Sequence, residues 1–313
     1  MRRMRGVALI IALVVVALAT IMAARIGSQA ALDQRRGAAL LAQQQAFEVA
    51  LGAEAWAIEV LHDHDAHSTK FSLDEAWAMP VDLPIDDGIL HGQLEDMQGR
   101  FNLNNLIKPD GTRNEVAFAH FQRLLARLEL EPKWASLLLD WIDADTIADG
   151  VDGAEDGFYT GQSPPYRTAN RPITSTSELL ALPGFGTERY RRLQPYVAAL
   201  PPGTSINVCT APGIVLDTLV PGLDRFGQDP KQLASNRDKG CFPTKDDVNL
   251  AVQSLLPTPE QRNQVLTGLS EQSKWLRGTT VVRLGTTELT LYSLIERITQ
   301  GNSRVVLRTL GTE

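Results

Sequence analysis

Carboxylates are concentrated in one short segment, DWIDADTIADGVDGAED, in which seven of 17 residues are acidic and glycines lie between them. Like charges at this density repel one another unless they are solvated or share a hard cation. Carboxylate oxygens and glycine turns suit Ca²⁺ better than Zn²⁺, which prefers Cys or His, although the EF-hand spacing is absent. An acidic loop that is only solvated is the alternative. The expected ligands of a structural Ca²⁺ are Asp140, Asp143, Asp145, Asp152, Glu155 and Asp156.

Other patterns that carry chemistry are weaker. His62, His64, Asp65 and His67 form an HDHDAH run, but no partner set stands near it, and histidines at a helix end complement the helix dipole. The sequence contains no Gly-x-Ser-x-Gly elbow, no HExxH motif and no Walker loop. We therefore expect a protein that is not an enzyme.

The run Leu182 to Gly186, LPGFG, lies between two expected short helices and resembles the turn of a helix-hairpin-helix module. In DNA-binding versions such a turn presents backbone N–H groups to phosphate. Arg189, Arg191 and Arg192 add local positive charge, but the whole chain carries −7 and the acidic segment lies just upstream. A packing role is favoured, and membrane-anchored, competence-type DNA binding is the competing function.

The N-terminus predicts a membrane anchor. Three arginines occur in residues 1–6, and 18 uncharged, mostly aliphatic residues follow from Val7 to Ala24. As a helix they span about 27 Å, close to the roughly 30 Å hydrocarbon core of a bilayer. The positive-inside rule places the arginines in the cytoplasm and the bulk of the chain outside it. A removed signal peptide is the alternative, but the apolar run exceeds the usual h-region.

The sequence between these segments predicts a mixed α+β protein. Residues 30–61 have strong helix formers, helical apolar spacing and no proline, so the span is expected to continue as a long helix that ends in a loop at His62 to Thr69. Further helices are expected at 115–130, 134–142, 177–182, 187–200, 216–219 and 246–256, and strands at 89–95, 279–284, 288–294 and 303–310.

Two cysteines, Cys209 and Cys241, suit an oxidising compartment. An even number in an exported chain suggests one disulfide. Two separate buried thiols are the alternative.

Several short motifs occur in an order that is specific as a set. Together they resemble the K-type minor pseudopilins of the bacterial type II secretion system, the general secretion pathway protein K family, over most of the chain. The motifs are GRFNLNNL from Gly99, DWIDAD from Asp140, GAED from Gly153, PPYR from Pro164 with Asn170, EL at Glu178 before Pro183-Gly184, INV from Ile206 and TAP from Thr210.

The resemblance implies an α+β fold in which a pseudopilin-like long N-terminal helix packs on an antiparallel sheet, with an inserted all-helical domain. The expected divisions are a cleaved basic leader (1–6), a transmembrane and periplasmic helix (7–62), the first part of the head (63–110), the inserted helical domain with the acidic loop (111–204) and the remainder of the head (205–313).

The resemblance also implies cleavage by prepilin peptidase between Gly6 and Val7, with methylation of the new terminus. Ile11 is then the fifth mature residue, where most pseudopilins carry a glutamate that meets the terminal amine of a neighbouring subunit. A carboxylate in that apolar medium is costly unless it is paired. A subunit with no neighbour above it needs no such glutamate.

The expected function is therefore that of a pseudopilus tip subunit, which initiates or caps assembly for protein export across the outer membrane. The expected partners are the I- and J-type minor pseudopilins, through them the major pseudopilin, and prepilin peptidase. The expected location is the inner membrane, crossed once, with the bulk of the chain in the periplasm. No nucleic acid is expected as a partner.

Overall fold

The computed structural model describes residues 4–299 and 302–311, so Met1 to Arg3 of the expected leader lie outside the described residues. It begins with a single helix, α1 (Met4–His67), of 64 residues. α1 is exposed from Val7 to Leu41, and the helix contains a segment long and apolar enough to cross a membrane. The head therefore folds without support from this segment.

α1 continues through the histidines that the sequence pattern places in a loop. The reason is tertiary packing, because Asp65 pairs with Arg297 of the head and His64 Nε2 lies 2.9 Å from a carboxylate oxygen of Glu75. The helix therefore ends only at His67.

The other elements alternate between a sheet and a long helical insertion. In chain order the strands and helices are β1 (Val81–Ile85), β2 (Gly88–Asp96), β3 (Phe101–Asn102), α2 (Glu115–Arg127), α3 (Trp134–Ile142), α4 (Asp156–Tyr159), α5 (Gly186–Leu193), β4 (Val197–Ala198), β5 (Ile206–Asn207), α6 (Gly213–Asp217), α7 (Pro230–Arg237), α8 (Lys245–Val252), α9 (Pro259–Leu266), β6 (Leu269–Ser270), β7 (Trp275–Leu284), β8 (Thr287–Thr299) and β9 (Asn302–Leu310). Short 3₁₀ helices connect several of them, among them Thr176–Ala181.

The main sheet is antiparallel, with the strand order β1-β2-β7-β8-β9. Its side chains alternate between a face covered by α1 and an opposite face, as the period-two patterns predict. The α+β class, with a long N-terminal helix on an antiparallel sheet and helices inserted between its strands, is confirmed.

Several further details differ from the sequence prediction, which contains no helix at α7 or α9. The helix expected at 187–200 ends at Leu193, because Val197 and Ala198 pair in parallel with Phe101 and Asn102. Strand β1, which contains Pro84, is not among the predicted strands. An edge strand tolerates a proline because one side of its backbone forms no ladder.

The packing of α1 gives the sheet its orientation. Ala46 and Ala50 contact Leu90 and Val282 near the start of β2, whereas Leu61 contacts a second apolar cluster near its end. That second cluster contains Phe71, Trp77, Leu94, Leu276 and Ile295. β2 therefore runs away from the membrane side, and the chain leaves the sheet at the end distant from the span.

The insertion, residues 97–274, begins and ends at one buried carboxylate. Asp96 accepts hydrogen bonds from Gln98 N at 2.8 Å, Asn207 Nδ2 at 2.9 Å, and the hydroxyls of Thr210 and Ser273 at 2.6 Å each. Burial raises the pKa of Asp96, although these donors oppose the shift. Both ends and the middle of the insertion are thus held at the distal end of β2.

One hydrophobic core extends through the insertion. It joins Phe121 of α2 and Leu138 of α3 to Val208, Val248 and Leu269. The helical part therefore continues beyond residue 204, where the sequence analysis places its boundary, because residues 206–269 complete the same core.

Cys209 and Cys241 are disulfide bonded, with Cα atoms 4.6 Å apart. The buried Arg237 guanidinium lies beside this bridge and donates to backbone carbonyls on both sides of it. Its acceptors are the carbonyls of Val208, Thr210, Ala211 and Phe242. Burial lowers the pKa of Arg237 to about 10.

An ion pair between a buried carboxylate and a half-exposed arginine joins α1 to the far edge of the sheet. Glu54 of α1 is 6% exposed and accepts from Arg308 Nε and Nη2 at 2.8 and 2.7 Å, and from the Ser293 hydroxyl. Burial raises the pKa of Glu54, but the hydrogen bonds from Arg308 and Ser293 outweigh it, so that the pKa lies below its ordinary value of 4.5.

We predict that Glu54→Ala lowers the free energy of unfolding of the head by about 2 kcal/mol at neutral pH, because it leaves a guanidinium and a hydroxyl without their acceptor. A lowered pKa means that this stabilisation is complete above about pH 4.5 and is lost as the pH falls through the folded-state value. Urea unfolding of residues 28–313 between pH 3 and pH 7 measures it. The exposed neighbour Glu48→Ala is the control, and an equal effect of both variants at pH 7 would contradict the prediction.

Candidate functional site

The acidic segment is built on a buried carboxylate at the end of α3. Every residue of α3 is buried, including Asp140, whose carboxylate accepts from Asp149 N at 3.0 and 3.2 Å. Burial raises the pKa of Asp140 to about 6, although the amides of Asp149 and Ala154 oppose it. Asp140 therefore fixes the fold of the loop.

Gly153 lets the loop close over Asp140. A Cβ at this position would lie 2.4 Å from Asp140 Oδ2 and 2.4 Å from Asp149 N. Real side chains do not approach backbone atoms so closely, and only glycine fits here.

Three carboxylates converge where the loop turns back. One oxygen each of Asp143, Asp145 and Glu155 lies within 4.8 Å of the other two. Within the described part of the chain, Asp143 Oδ1 and both oxygens of Glu155 are buried without a hydrogen-bond partner. Burial and the surrounding negative charges raise the pKa of Glu155 to about 7, and burial with Asp145 raises that of Asp143 to about 6.

This arrangement fits a hard cation. Orphaned buried oxygens cost free energy unless something binds them, and Ca²⁺ is bound by carboxylate and carbonyl oxygens at about 2.3–2.6 Å in flexible geometry. The cluster contains no histidine or cysteine ligand, which Zn²⁺ prefers. The donor set therefore has the chemistry that a hard cation such as Ca²⁺ prefers.

The structure places the other predicted ligands differently. Asp152 is exposed, and Asp140 is already bound by loop amides. Asp156 accepts from Thr168 N at 3.1 Å and Thr168 Oγ1 at 2.9 Å. The structure thus brings Asp143, Asp145 and Glu155 together and engages Asp140 and Asp156 with donors of the protein.

Asn170 is not among the ligands expected from the sequence. Its backbone N–H donates to Trp141 O at 3.0 Å, and its side-chain Oδ1 is buried without a hydrogen-bond partner among the described residues. Its backbone φ of 47° is in the left-handed region, which asparagine tolerates. The only sequence feature that pointed to Asn170 was its place after the PPYR motif of Pro164 to Arg167.

The turn at Leu182 to Gly186 packs inside the insertion. The Phe185 ring lies edge-on to Trp134 with centroids 5.1 Å apart. Arg189 lies over the same indole at 5.4 Å and pairs with Glu131. The turn therefore serves the core, and its nearest arginine already has a carboxylate partner.

Comparisons with known proteins decide the family. The family described as "Type II secretion system (T2SS), protein K" matches residues 99–202, which include the acidic loop. Type II secretion system protein K of Aeromonas hydrophila is 33% identical, covering 99% of this chain and 98% of the relative. The protein K of Pseudomonas aeruginosa is 35% identical, covering 99% and 94%.

This chain belongs to the type II secretion system protein K family.

A solved structure agrees. "The Crystal Structure of the GspK-GspI-GspJ complex from enterotoxigenic Escherichia coli Type 2 Secretion System" contains a chain that superposes with a TM-score of 0.77 at 26% identity. The match covers 89% of this chain and 100% of that chain. As a type II secretion protein K, the chain crosses the inner membrane once through α1, and its bulk lies in the periplasm.

We predict that Gly153→Ala destabilises the insertion by about 1–3 kcal/mol, the usual cost of forcing atoms into a filled site. Gly157→Ala is the matched control, because a Cβ at Gly157 meets nothing within 4 Å. It lies in α4, where alanine is favourable. Thermal melting of residues 28–313 compares the two variants, and equal melting temperatures would show that the loop does not close as described.

Proposed function

We propose that this type II secretion minor pseudopilin sits at the tip of the pseudopilus, where it initiates assembly and ends the fibre for protein export across the outer membrane. The observation that carries the proposal is the position of residues 97–274, which leave and rejoin the sheet at its membrane-distal end. In a fibre of parallel helices a further subunit has to stack above this end. The insertion occupies that space.

The N-terminal helix supports the same role. Its first turns form an apolar surface with Ile11 exposed, which suits packing among other pseudopilin helices in the fibre or membrane. Ile11 offers no carboxylate for a subunit above it to pair with. Processing after Gly6, which makes Val7 the mature terminus, belongs to the same proposal.

The partners that we propose are the I- and J-type minor pseudopilins. The related GspK chain forms a complex with GspI and GspJ. The whole of that GspK chain superposes on 89% of this chain. In this proposal these two proteins connect the chain to the major pseudopilin. We also propose that the chain is a structural component without catalytic activity, because its perturbed carboxylates have the chemistry of cation ligands.

The competing function, DNA binding through the Leu182–Gly186 turn, is less well supported. Phe185 is buried and Arg189 is paired with Glu131. The relatives are secretion proteins.

Two measurements test the proposed role. The full chain, expressed with the I- and J-type minor pseudopilins of the same organism, should copurify with both from detergent. Gold-labelled chain should decorate fibre ends in electron micrographs of pseudopili. Labels along the whole fibre would contradict the tip position, and salt-sensitive retention on DNA without either pseudopilin would support the competing function.

We also propose that Asp143, Asp145 and Glu155 bind a structural Ca²⁺, with Asn170 Oδ1 as a further oxygen close to the end of α3. The support is geometric, since the three carboxylates converge and the buried oxygens Asp143 Oδ1, Glu155 Oε1 and Glu155 Oε2 have no donor within the described residues. A bound divalent cation removes the mutual repulsion of the carboxylates and so holds the loop against α3 and α4. The cation stabilises the fold in this proposal and takes no part in a reaction.

We predict that saturating Ca²⁺ raises the melting temperature of residues 28–313 relative to chelator. The free energy of unfolding should rise by about 2.7 kcal/mol when the free ion is a hundredfold above its Kd. Glu155→Gln should abolish this calcium-dependent rise in melting temperature, because an uncharged amide replaces a ligand carboxylate. In chelator at pH 7.5 the same variant should melt above the wild type, since it removes a repelling charge.

The matched control is Glu260→Gln, which alters an exposed carboxylate in α9 and should leave the calcium response intact. Identical melting of the wild type in calcium and in chelator would leave the acidic loop as a solvated loop.

A further inference from the structure

A groove opens between α1 and the sheet, beside residues 90–94 of β2. Its deeper part is a cavity of about 200 Å³. It exists because small residues meet there: Gly92, Gly278 and Ser293 on neighbouring strands lie beneath Ala53 and Ala57 of α1. Elsewhere under α1 the same sheet face carries leucine and valine.

The cavity reaches the surface between two large apolar side chains. Trp56 of α1 is 44% exposed, and Met79, just before β1, is 59% exposed. A cavity of about 150 Å³ accommodates a benzene ring, so this one has room for a leucine, methionine or phenylalanine side chain. Exposed Trp and Met around an apolar pocket are typical of binding hot spots.

The groove continues into an acidic cleft of about 700 Å³. Trp56, Val60 and Trp77 line both parts. The cleft adds the exposed carboxylates of Glu59 and Asp63, together with His64, His67 and Glu75, and no lysine or arginine occurs among its described lining residues. Glu75 already accepts from His64, Ser72 N and Trp77, so Glu59 and Asp63 carry the negative charge that is open to a partner. One end of the groove therefore favours an apolar side chain and the other a cation, with indole rings between them.

We infer that this groove docks a segment of a second membrane-anchored pseudopilin, in which a large apolar side chain lies next to a lysine or arginine. This inference rests on the proposed function and assigns a surface to it. A second copy of this chain fits poorly, since it carries −7 and would bring acid to an acidic cleft.

The height of the groove also fits a partner with its own long helix. Trp56 lies 32 residues beyond Ala24, the end of the apolar run, and hence about 48 Å along α1. A segment that reaches this level beside α1 has to be carried there by a comparable periplasmic helix or head. A partner anchored in the same membrane by such a helix meets this requirement.

The glycines provide a variant that separates docking from folding. A Cβ at Gly278 would make ordinary contacts of 3.7 Å with Leu94 and Ile295. Valine is favoured in strands, so Gly278→Val should fill the cavity while it keeps or raises the melting temperature. A merely structural cavity predicts no loss of binding on such filling.

The test measures binding of residues 28–313 to the purified periplasmic heads of the I- and J-type minor pseudopilins by isothermal titration calorimetry. Trp56→Ala and Gly278→Val should each weaken binding at least tenfold. Asp63→Lys should weaken it most at low salt, because screening removes long-range attraction. Thr290→Val, on the opposite face of the sheet, and Leu250→Ala, an exposed apolar residue of α8, should bind like the wild type.

If the wild type binds and all three groove variants bind equally well, the groove is not the docking surface, while the proposed function stands. If the wild type binds neither head, the proposed function and this inference both fail. Self-association of the wild type in sedimentation velocity that Trp56→Ala abolishes would identify a second copy as the occupant and overturn the inference.

Discussion

The architecture depends on the burial of one carboxylate, that of Asp96. A carboxylate enters a protein interior only where donors replace its water, and here the donors come from residues 98, 207, 210 and 273. Because all of them must be present together, the start, the later part and the end of the insertion are fixed at one point. The insertion is thereby a rigid extension of β2 and β7. It lies at the distal end of the sheet because Asp96 ends β2 there and Ser273 lies just before β7.

The same head is fastened to its membrane helix by two further buried carboxylates. Glu54 and Asp65 of α1 lie three turns apart and pair with Arg308 and Arg297 on the two C-terminal strands. Apolar contacts at Ala46, Ala50 and Leu61 fill the space around these pairs. Any force on the span is therefore transmitted through α1 to the sheet and then to the insertion.

The acidic loop and the groove lie in different parts of the head and differ in how their carboxylates are arranged. In the loop, carboxylates are crowded beyond what the protein itself neutralises, and the raised pKa values of Asp143 and Glu155 reflect this crowding and their burial. Along α1 the acidic side chains are spread beside indole rings and a cavity. Such a surface suits a cation on an apolar side chain rather than a free ion.

The sequence by itself determined the features that depend on local composition and on the spacing of apolar residues along the chain. The 18 uncharged residues after the arginines specify a span, period-two patterns specify β2, β7, β8 and β9, and helical spacing specifies α2 and α3. Ordered motifs were enough to indicate the family.

Only the tertiary structure decided which groups meet. Seven acidic residues in one loop were visible, but spacing does not reveal that Asp140 and Asp156 turn towards protein donors while Asp143, Asp145 and Glu155 converge. Glu54 pairs with a residue 254 positions away, and the groove arises from glycines on two strands far apart in sequence. Such contacts follow from strand register and helix placement, which a one-dimensional pattern does not encode.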